Sequence, residues 1–236
     1  MFSGIVESVQ PILSAEKSFA NSSSQASPKH GEASSIEESF VIRIQVQRPA
    51  DFDDIKLGDS IANDGVCLTV EAFDVNWIQF ALAAETLQVL QWNSFLRNPQ
   101  ALIGRKLNLE RSMRLGDRIH GHLVTGHVDS LGQVVRSEAQ GENWFLDVQV
   151  SASVLPFVWR KGCVTLNGVN LTVNQVALAA DKQSAVVSVC LIPETIKRTN
   201  LTFLSVGDRL NVEPDYFAKS LEKMLEARGY DSFKKN

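Results

Sequence analysis

The stretch Ser60 to Val70, SIANDGVCLTV, decides the fold because the chain repeats it as CVTLNGVNLTV over Cys163 to Val173. Five of the eleven positions are identical at a constant offset of 103. The same offset carries Asn108-Leu109-Glu110 onto Asn211-Val212-Glu213. LAAETL (Leu82 to Leu87) falls on LIPETI (Leu191 to Ile196) at offset 109, and SGIVE (Ser3 to Glu7) falls on TGHVD (Thr125 to Asp129) at offset 122. Four blocks in one order mean two copies of one domain, and a repeat of this kind governs every local assignment. The fall in offset from 122 to 103 puts 19 extra residues into the first copy, within Ser14 to Ser39. There the run SSSQASPKHGEASS has the composition of an exposed loop, and His30 within it is expected to be a solvated surface residue without a catalytic role. The expected units are 1–117, 118–214 and a C-terminal piece over 215–236.

Inside each copy the period is two. Phe40, Ile42, Ile44 and Val46 alternate with Val41, Arg43 and Gln45, as Trp144, Leu146, Val148 and Val150 alternate with Phe145, Asp147 and Gln149, which is the pattern of a strand with one buried face. Asp64-Gly65 and Asn167-Gly168 interrupt their blocks at the same place, and Asx-Gly between apolar runs is a strong hairpin signal because both residues tolerate positive φ. Each copy is therefore all-β, and closure into a small barrel avoids long unpaired edges. One helix is expected after Pro214, capped by Asp215, carrying Phe217, Leu221, Met224, Leu225 and Arg228 at helical spacing and ended by Gly229. Its apolar stripe needs a covering surface outside the two barrels, which points to packing between subunits.

The 236 residues are 44% apolar and 21% charged, the composition of an ordinary folded protein. A net charge of −4 argues against nucleic acid as partner. The absence of an apolar run of about 18 residues argues against a membrane span. MFSGIVESVQ lacks a basic n-region, so a cytoplasmic location is expected. Cys67, Cys163 and Cys190 have no CxxC spacing, which fits a reducing compartment. HGHLVTGH brings His120, His122 and His127 together in sequence without an acidic or Cys ligand at regular spacing, so no metal is expected and His122 reads as a strand residue. Glu85 and Glu194 precede Thr in both copies. Taken as strand positions, such acids are costly unless paired or bonded to a ligand, and matched acids suggest matched pockets.

MFSGIVE, DSIANDGVCLTV, LAAETL, GHLVTGHVD, KGCVTLNGVNLTVN, LIPETIKRTNL and LNVEPD, in that order, resemble the riboflavin synthase family, and the likeness reaches nearly the whole chain outside the insertion. The resemblance implies two six-stranded Greek-key barrels and a C-terminal helix that joins three chains into a homotrimer. The implied reaction takes two molecules of 6,7-dimethyl-8-ribityllumazine and moves a four-carbon unit between them without a cofactor. Lumazine synthase is a candidate partner. By the same resemblance the first pocket is built from Gly4, Ile5 and Val6, from Cys67, Leu68 and Thr69, from Ala81, Leu82, Ala83, Ala84, Glu85 and Thr86, and from Gly126, His127 and Val128. The second uses Lys161, then Asn170, Leu171 and Thr172, and Cys190, Leu191, Ile192, Pro193, Glu194 and Thr195. Residues tied to turnover are Ser60, Cys67, His127, Thr172 and Asp215. Cys67 and Ser60 are read as nucleophile or nucleophile-positioning groups, and His127 as a proton carrier. Three positions depart from the family's pattern: Asn170 stands where Ser is usual, Asp64 where Asn is usual and His120 where Gly is usual.

Overall fold

The computed structural model describes residues 1–19, 40–180 and 183–229. Two closed antiparallel barrels account for most of them. The first contains β1 (Ser8–Phe19), β2 (Phe40–Gln47), β3 (Ser60–Asn63), β4 (Val66–Phe73), β5 (Trp77–Leu82) and β6 (Lys106–Arg111), ordered β1-β2-β5-β4-β3-β6 around the ring. The second contains β7 (Ser130–Gln140), β8 (Asn143–Ser151), β9 (Cys163–Leu166), β10 (Val169–Leu178), β11 (Ser184–Leu191) and β12 (Arg209–Pro214). Its ring order, β7-β8-β11-β10-β9-β12, repeats the first. Each has its own core. Ile42, Ile44, Phe52, Ile61, Ile78 and Phe80 fill the first, and Leu146, Val148, Val164, Val173, Val187 and Val212 the second.

Two element boundaries differ from the sequence reading. Ser14 to Phe19 are strand, not loop: β1 pairs with β2 from Ser14↔Gln45 to Phe19↔Phe40. From Ser14 to Ser18 only Ala15 is buried, so this polar run shows no apolar alternation and its pairing is supplied by β2. Residues 20–39, including His30, lie outside the described residues. The second difference concerns LAAETL and LIPETI, which leave their strands at Leu82 and Leu191 and enter the short helices α1 (Ala84–Val89) and α2 (Pro193–Arg198). Glu85 and Glu194 are thus exposed acids in helical first turns, where the helix dipole favours them. Glu194 is ion-paired to Arg198 one turn on. Neither is a buried strand charge.

The barrels meet at their Asx-Gly hairpins. Asp64 and Asn167 have φ of 47° and 46°, and Gly65 and Gly168 both have φ of 79°. A Cβ on Gly65 would stand 2.7 Å from the Gly168 amide nitrogen, and the converse contact is also 2.7 Å. Glycine is required there for approach as well as for turn geometry. Around the tips runs a buried polar network. Asn108 N–H and Asn200 Nδ2 each donate to Asp64 Oδ1 at 2.8 Å, and Asn211 N–H donates to Asn167 Oδ1 at 2.8 Å. Asn211 Nδ2 donates to the Asp64 carbonyl at 2.8 Å, while Asn108 Nδ2 donates to the Asn167 carbonyl at 2.8 Å and to Asn200 Oδ1 at 2.9 Å. Repeat-related residues make repeat-related bonds, so the two copies face each other about a pseudo-twofold axis.

The helix α3 (Tyr216–Ala227) starts at Asp215, whose Oδ1 accepts from Phe217 N–H at 2.7 Å. Lys219 pairs with Asp129 and ties the helix to the second barrel. Phe217, Leu221 and Met224 are 63%, 58% and 65% exposed, so no apolar surface of the described chain covers them. No helix among the described residues is long and apolar enough to cross a membrane.

Candidate functional site

In each barrel the ladder at the seam between the fourth and fifth strands is incomplete. The β4–β5 ladder begins at Val70↔Phe80 and runs toward the β5 N-terminus, leaving Cys67, Leu68 and Thr69 unregistered with Ala81 and Leu82. A register shift between Val70 and Ala72 bends the strand at that point. The β10–β11 ladder likewise begins at Val173↔Val189, leaving Asn170, Leu171 and Thr172 apart from Cys190 and Leu191. The resemblance predicts ligand contacts at these two openings, where backbone groups face each other without a ladder partner and a flat heterocycle with donor and acceptor edges can take their place.

Side chains converge on the openings by strand pairing. Ser60 stands directly across from Thr69, and Ala62 across from Cys67. In the second barrel Cys163 stands across from Thr172, and Thr165 across from Asn170. Cys163 is thus the repeat partner of Ser60, a site residue missed from sequence although the offset of 103 points to it. Asp215 follows β12 beside the same strand, since Pro214 pairs with Val164. Burial, then the Asp215 carboxylate, push the Cys163 thiol up from its ordinary value, so it stands as a protonated thiol at neutral pH. Lys161 adopts φ of 69° where the first copy has Gly58. Its amide donates to the Val173 carbonyl at 2.7 Å, which sets it beside the second opening.

The two chain segments that precede the first strands cross over. Phe2 and Val124, related by the offset of 122, pair with each other across the pseudo-axis. Cys67 N–H donates to the Gly126 carbonyl at 2.9 Å, which brings Gly126, His127 and Val128 of the second copy to the first barrel as expected. The mirror contact is Asn170 N–H to the Gly4 carbonyl at 2.8 Å. A Cβ on Gly4 would stand 2.6 Å from Asn170 Cβ, and one on Gly126 2.6 Å from Cys67 Cβ, so both crossings need glycine. Val6 packs in the second core and Val128 against the first. Gly4 and Val6 thus contact the second barrel, while Ile5 between them lines the cleft beside Ser60. Two buried acids clamp the crossings: Glu110 accepts from Ser3 N–H, Ser3 Oγ and Gly4 N–H at 2.7, 3.0 and 3.0 Å, and Glu213 accepts from Thr125 N–H, Thr125 Oγ1 and Gly126 N–H at 2.7, 2.7 and 3.0 Å. These acids, not Glu85 and Glu194, are the matched buried carboxyls. LNLE and LNVE already held the signal.

The three histidines separate. His120 and His127 are exposed. His122 lies in the irregular segment between the barrels rather than in a strand, is 8% exposed, and contacts Asn170 Oδ1 through Nδ1 at 2.6 Å and Thr165 Oγ1 through Nε2 at 3.2 Å. The side-chain oxygen of Asn170 is therefore already engaged. Among the described residues no cluster of three or more His, Cys, Asp and Glu could hold a metal.

Within one chain the predicted turnover residues form two groups, Ser60, Cys67 and His127 on the first barrel and Thr172 and Asp215 on the second. A cleft of about 970 Å³ opens beside Ser60 and Ile5, with Asp54, Arg111 and Arg114 in its wall, but Cys67, Thr69 and His127 do not line it. Of the predicted site residues, Ser60 and Ile5 border this open volume, whereas Cys67, Thr69 and His127 lie at the seam.

The comparisons find two copies of one domain as well. Residues 3–112 and 125–215 match the lumazine binding domain. The chain belongs to the lumazine-binding, riboflavin synthase family. It is 32% identical to riboflavin synthase of Photobacterium leiognathi over 234 residues, covering 99% of this chain and 93% of that one. It is 31% identical to that of Bacillus subtilis over 225 residues, covering 95% and 90%. It is 36% identical to that of Mycobacterium tuberculosis over 189 residues, covering 79% and 89%. Among solved structures, LumP complexed with riboflavin superposes with a TM-score of 0.67 at 18% identity, covering 91% of this chain and 99% of that one, a likeness of fold.

Proposed function

We propose that this chain catalyses the riboflavin synthase reaction, in which two 6,7-dimethyl-8-ribityllumazine molecules give riboflavin and 5-amino-6-ribitylamino-2,4(1H,3H)-pyrimidinedione. The observation that carries the reading is the duplication of the open seam in a chain 31 to 36% identical to riboflavin synthases. A four-carbon unit leaves the donor and joins the acceptor. The oxidation of one molecule balances the reduction of the other, so the chemistry calls for no external electron carrier. Its main demand is orientation of two identical heterocycles, worth up to about 7 to 11 kcal/mol in well-aligned cases. Twin seams supply two equivalent holds.

The first seam, with Ile5, Ser60, Cys67, Leu68, Thr69, Ala81 to Thr86 and Gly126 to Val128, is assigned one lumazine. The second, with Gly4, Val6, Lys161, Asn170 to Thr172, Cys190 to Thr195 and Asp215, is assigned the other. Cys67 supplies the adding or positioning thiol, and exposed His127 carries the proton lost from the donor's methyl carbon. The uncovered stripe of α3 is assigned to contact between copies in a homotrimer working in the cytoplasm. The deciding experiment incubates the pure protein with the lumazine alone and follows riboflavin by absorbance and fluorescence. Riboflavin should accumulate with turnover. Lumazine binding without riboflavin would instead make the chain a ligand-binding relative.

A further inference from the structure

A second cleft, of about 620 Å³, lies where the two barrels meet, and none of the residues assigned to the lumazine seams lines it. Its wall holds Arg105, Lys106 and Arg209, the last two being repeat partners at offset 103. In a protein of net charge −4, these three cations share one cleft and none forms an ion pair among the described residues. Arg105 stands 5.0 Å over the Trp92 ring and Lys106 4.8 Å over the Phe203 ring, so both heads are held against planar walls. The exposed acid in the wall, Asp208, accepts the Ser205 N–H at 2.8 Å and offsets one of the three positive charges. The other acid is Asp64. It is 8% exposed, its Oδ1 takes two hydrogen bonds, and its Oδ2 takes none among the described residues.

Three exposed cations gathered in one cleft, of which Arg105 alone acts by charge on the Asp64 of the same wall, favour an anion, and phosphate draws the strongest charge-assisted bonds. A bare anion would leave Asp64 Oδ2 without a hydrogen-bond partner, whereas an N–H donor set against it favours the carboxylate form of an acid that burial raises to about 7. A ligand that satisfies both ends carries a phosphate at one end and ring N–H donors at the other. We infer that the inter-barrel cleft binds a nucleotide-class ligand, its phosphate on Arg105, Lys106 and Arg209 and an N–H edge of its base on Asp64 Oδ2. The volume lies within the range of small-molecule sites, about 300 to 1,000 Å³. The occupant differs from the lumazine, which has no anionic group, so the inference stands apart from the proposed reaction.

The test is calorimetric titration of the full-length protein with GMP, guanosine and inorganic phosphate in parallel. GMP should bind saturably, and guanosine and phosphate should each bind weaker by on the order of tenfold or more, since each keeps one half of the contacts. Arg105→Ala with Arg209→Ala should weaken GMP by at least about tenfold while fluorescence titration with the lumazine stays unchanged, which also reports intact folding. Asp64→Asn, which turns the accepting oxygen into a donor, should narrow the preference for GMP over phosphate. Absence of saturable GMP binding, GMP binding untouched by the double substitution, or phosphate binding as tightly as GMP would each overturn the assignment.

Discussion

Cys67 and Asn170 occupy one place in the two copies and meet different neighbours. Cys67 lies under Gly126, which the exposed His127 follows in the chain, while the Asn170 oxygen contacts buried His122. Cys67→Ala should therefore lower single-turnover riboflavin formation with little change in lumazine affinity, because a reactive group acts mainly toward the transition state. Asn170→Ala leaves His122 Nδ1 unpaired inside the protein. It should reduce unfolding free energy by roughly 1 to 3 kcal/mol and weaken lumazine binding together with it, as read by denaturant melts beside fluorescence titration. An Asn170→Ala protein of unchanged stability would remove the His122 contact from the account. Asp64 is the other informative residue. Burial raises its carboxyl from 3.8 to about 7 against the hydrogen bonds from Asn108 and Asn200 and the charge of Arg105, which lower it. Burial likewise raises Glu110 to about 7. Between roughly pH 4 and 7 the folded chain then holds more protons than the unfolded one, so these groups make stability fall as pH rises. Asp64→Asn keeps the Oδ1 contacts and cannot ionise. Its gain over the parent should be near zero at about pH 4 and grow to at most roughly 4 kcal/mol near pH 8. Thermal melts across that range check it, and a gain independent of pH would contradict the buried-acid explanation.

At the scale of elements, what was legible in the sequence followed from what is duplicated. Ser60 to Val70 and its repeat foretold the β-hairpins, their glycine tips and a shared barrel order, because turn chemistry and period-two burial are local. The polar end of β1 was not legible, since Ser14 to Phe19 is a strand only by virtue of its partner β2. Nor were α1 and α2, whose six residues each are too short for a helical period to stand out against apolar neighbours. The return of Gly126 to the first barrel followed from the resemblance, but the mirror crossing that hands Gly4 to Asn170 is a tertiary fact with no one-dimensional trace. The insertion now narrows to residues 20–39. Replacing it by the two-residue turn Gly141-Glu142 of the second copy should change stability by no more than about 2 kcal/mol, since each doubling of loop length costs only about 0.6 kcal/mol. Turnover should be kept. Lost activity in a variant with an unchanged melting curve would show that the segment takes part in function.

On the scale of the whole molecule, two barrels joined by a buried asparagine network form a rigid pair of seams, and α3 extends an uncovered apolar stripe from the second. Cutting the chain before Tyr216 keeps both cores and removes Phe217, Leu221 and Met224. The full chain is expected to sediment as a trimer and the truncated chain as a monomer; a truncated chain that still forms trimers would place the contact elsewhere. The central claim is that the duplication exists to hold two lumazines as donor and acceptor. It is tested most directly by counting both ligand and product on one preparation: equilibrium binding of the lumazine per chain, followed by the yield of riboflavin per lumazine consumed with no other reactant added. The account predicts two binding sites per chain and one riboflavin for every two lumazines lost. A single site per chain, or two sites filled with no riboflavin formed, would contradict it.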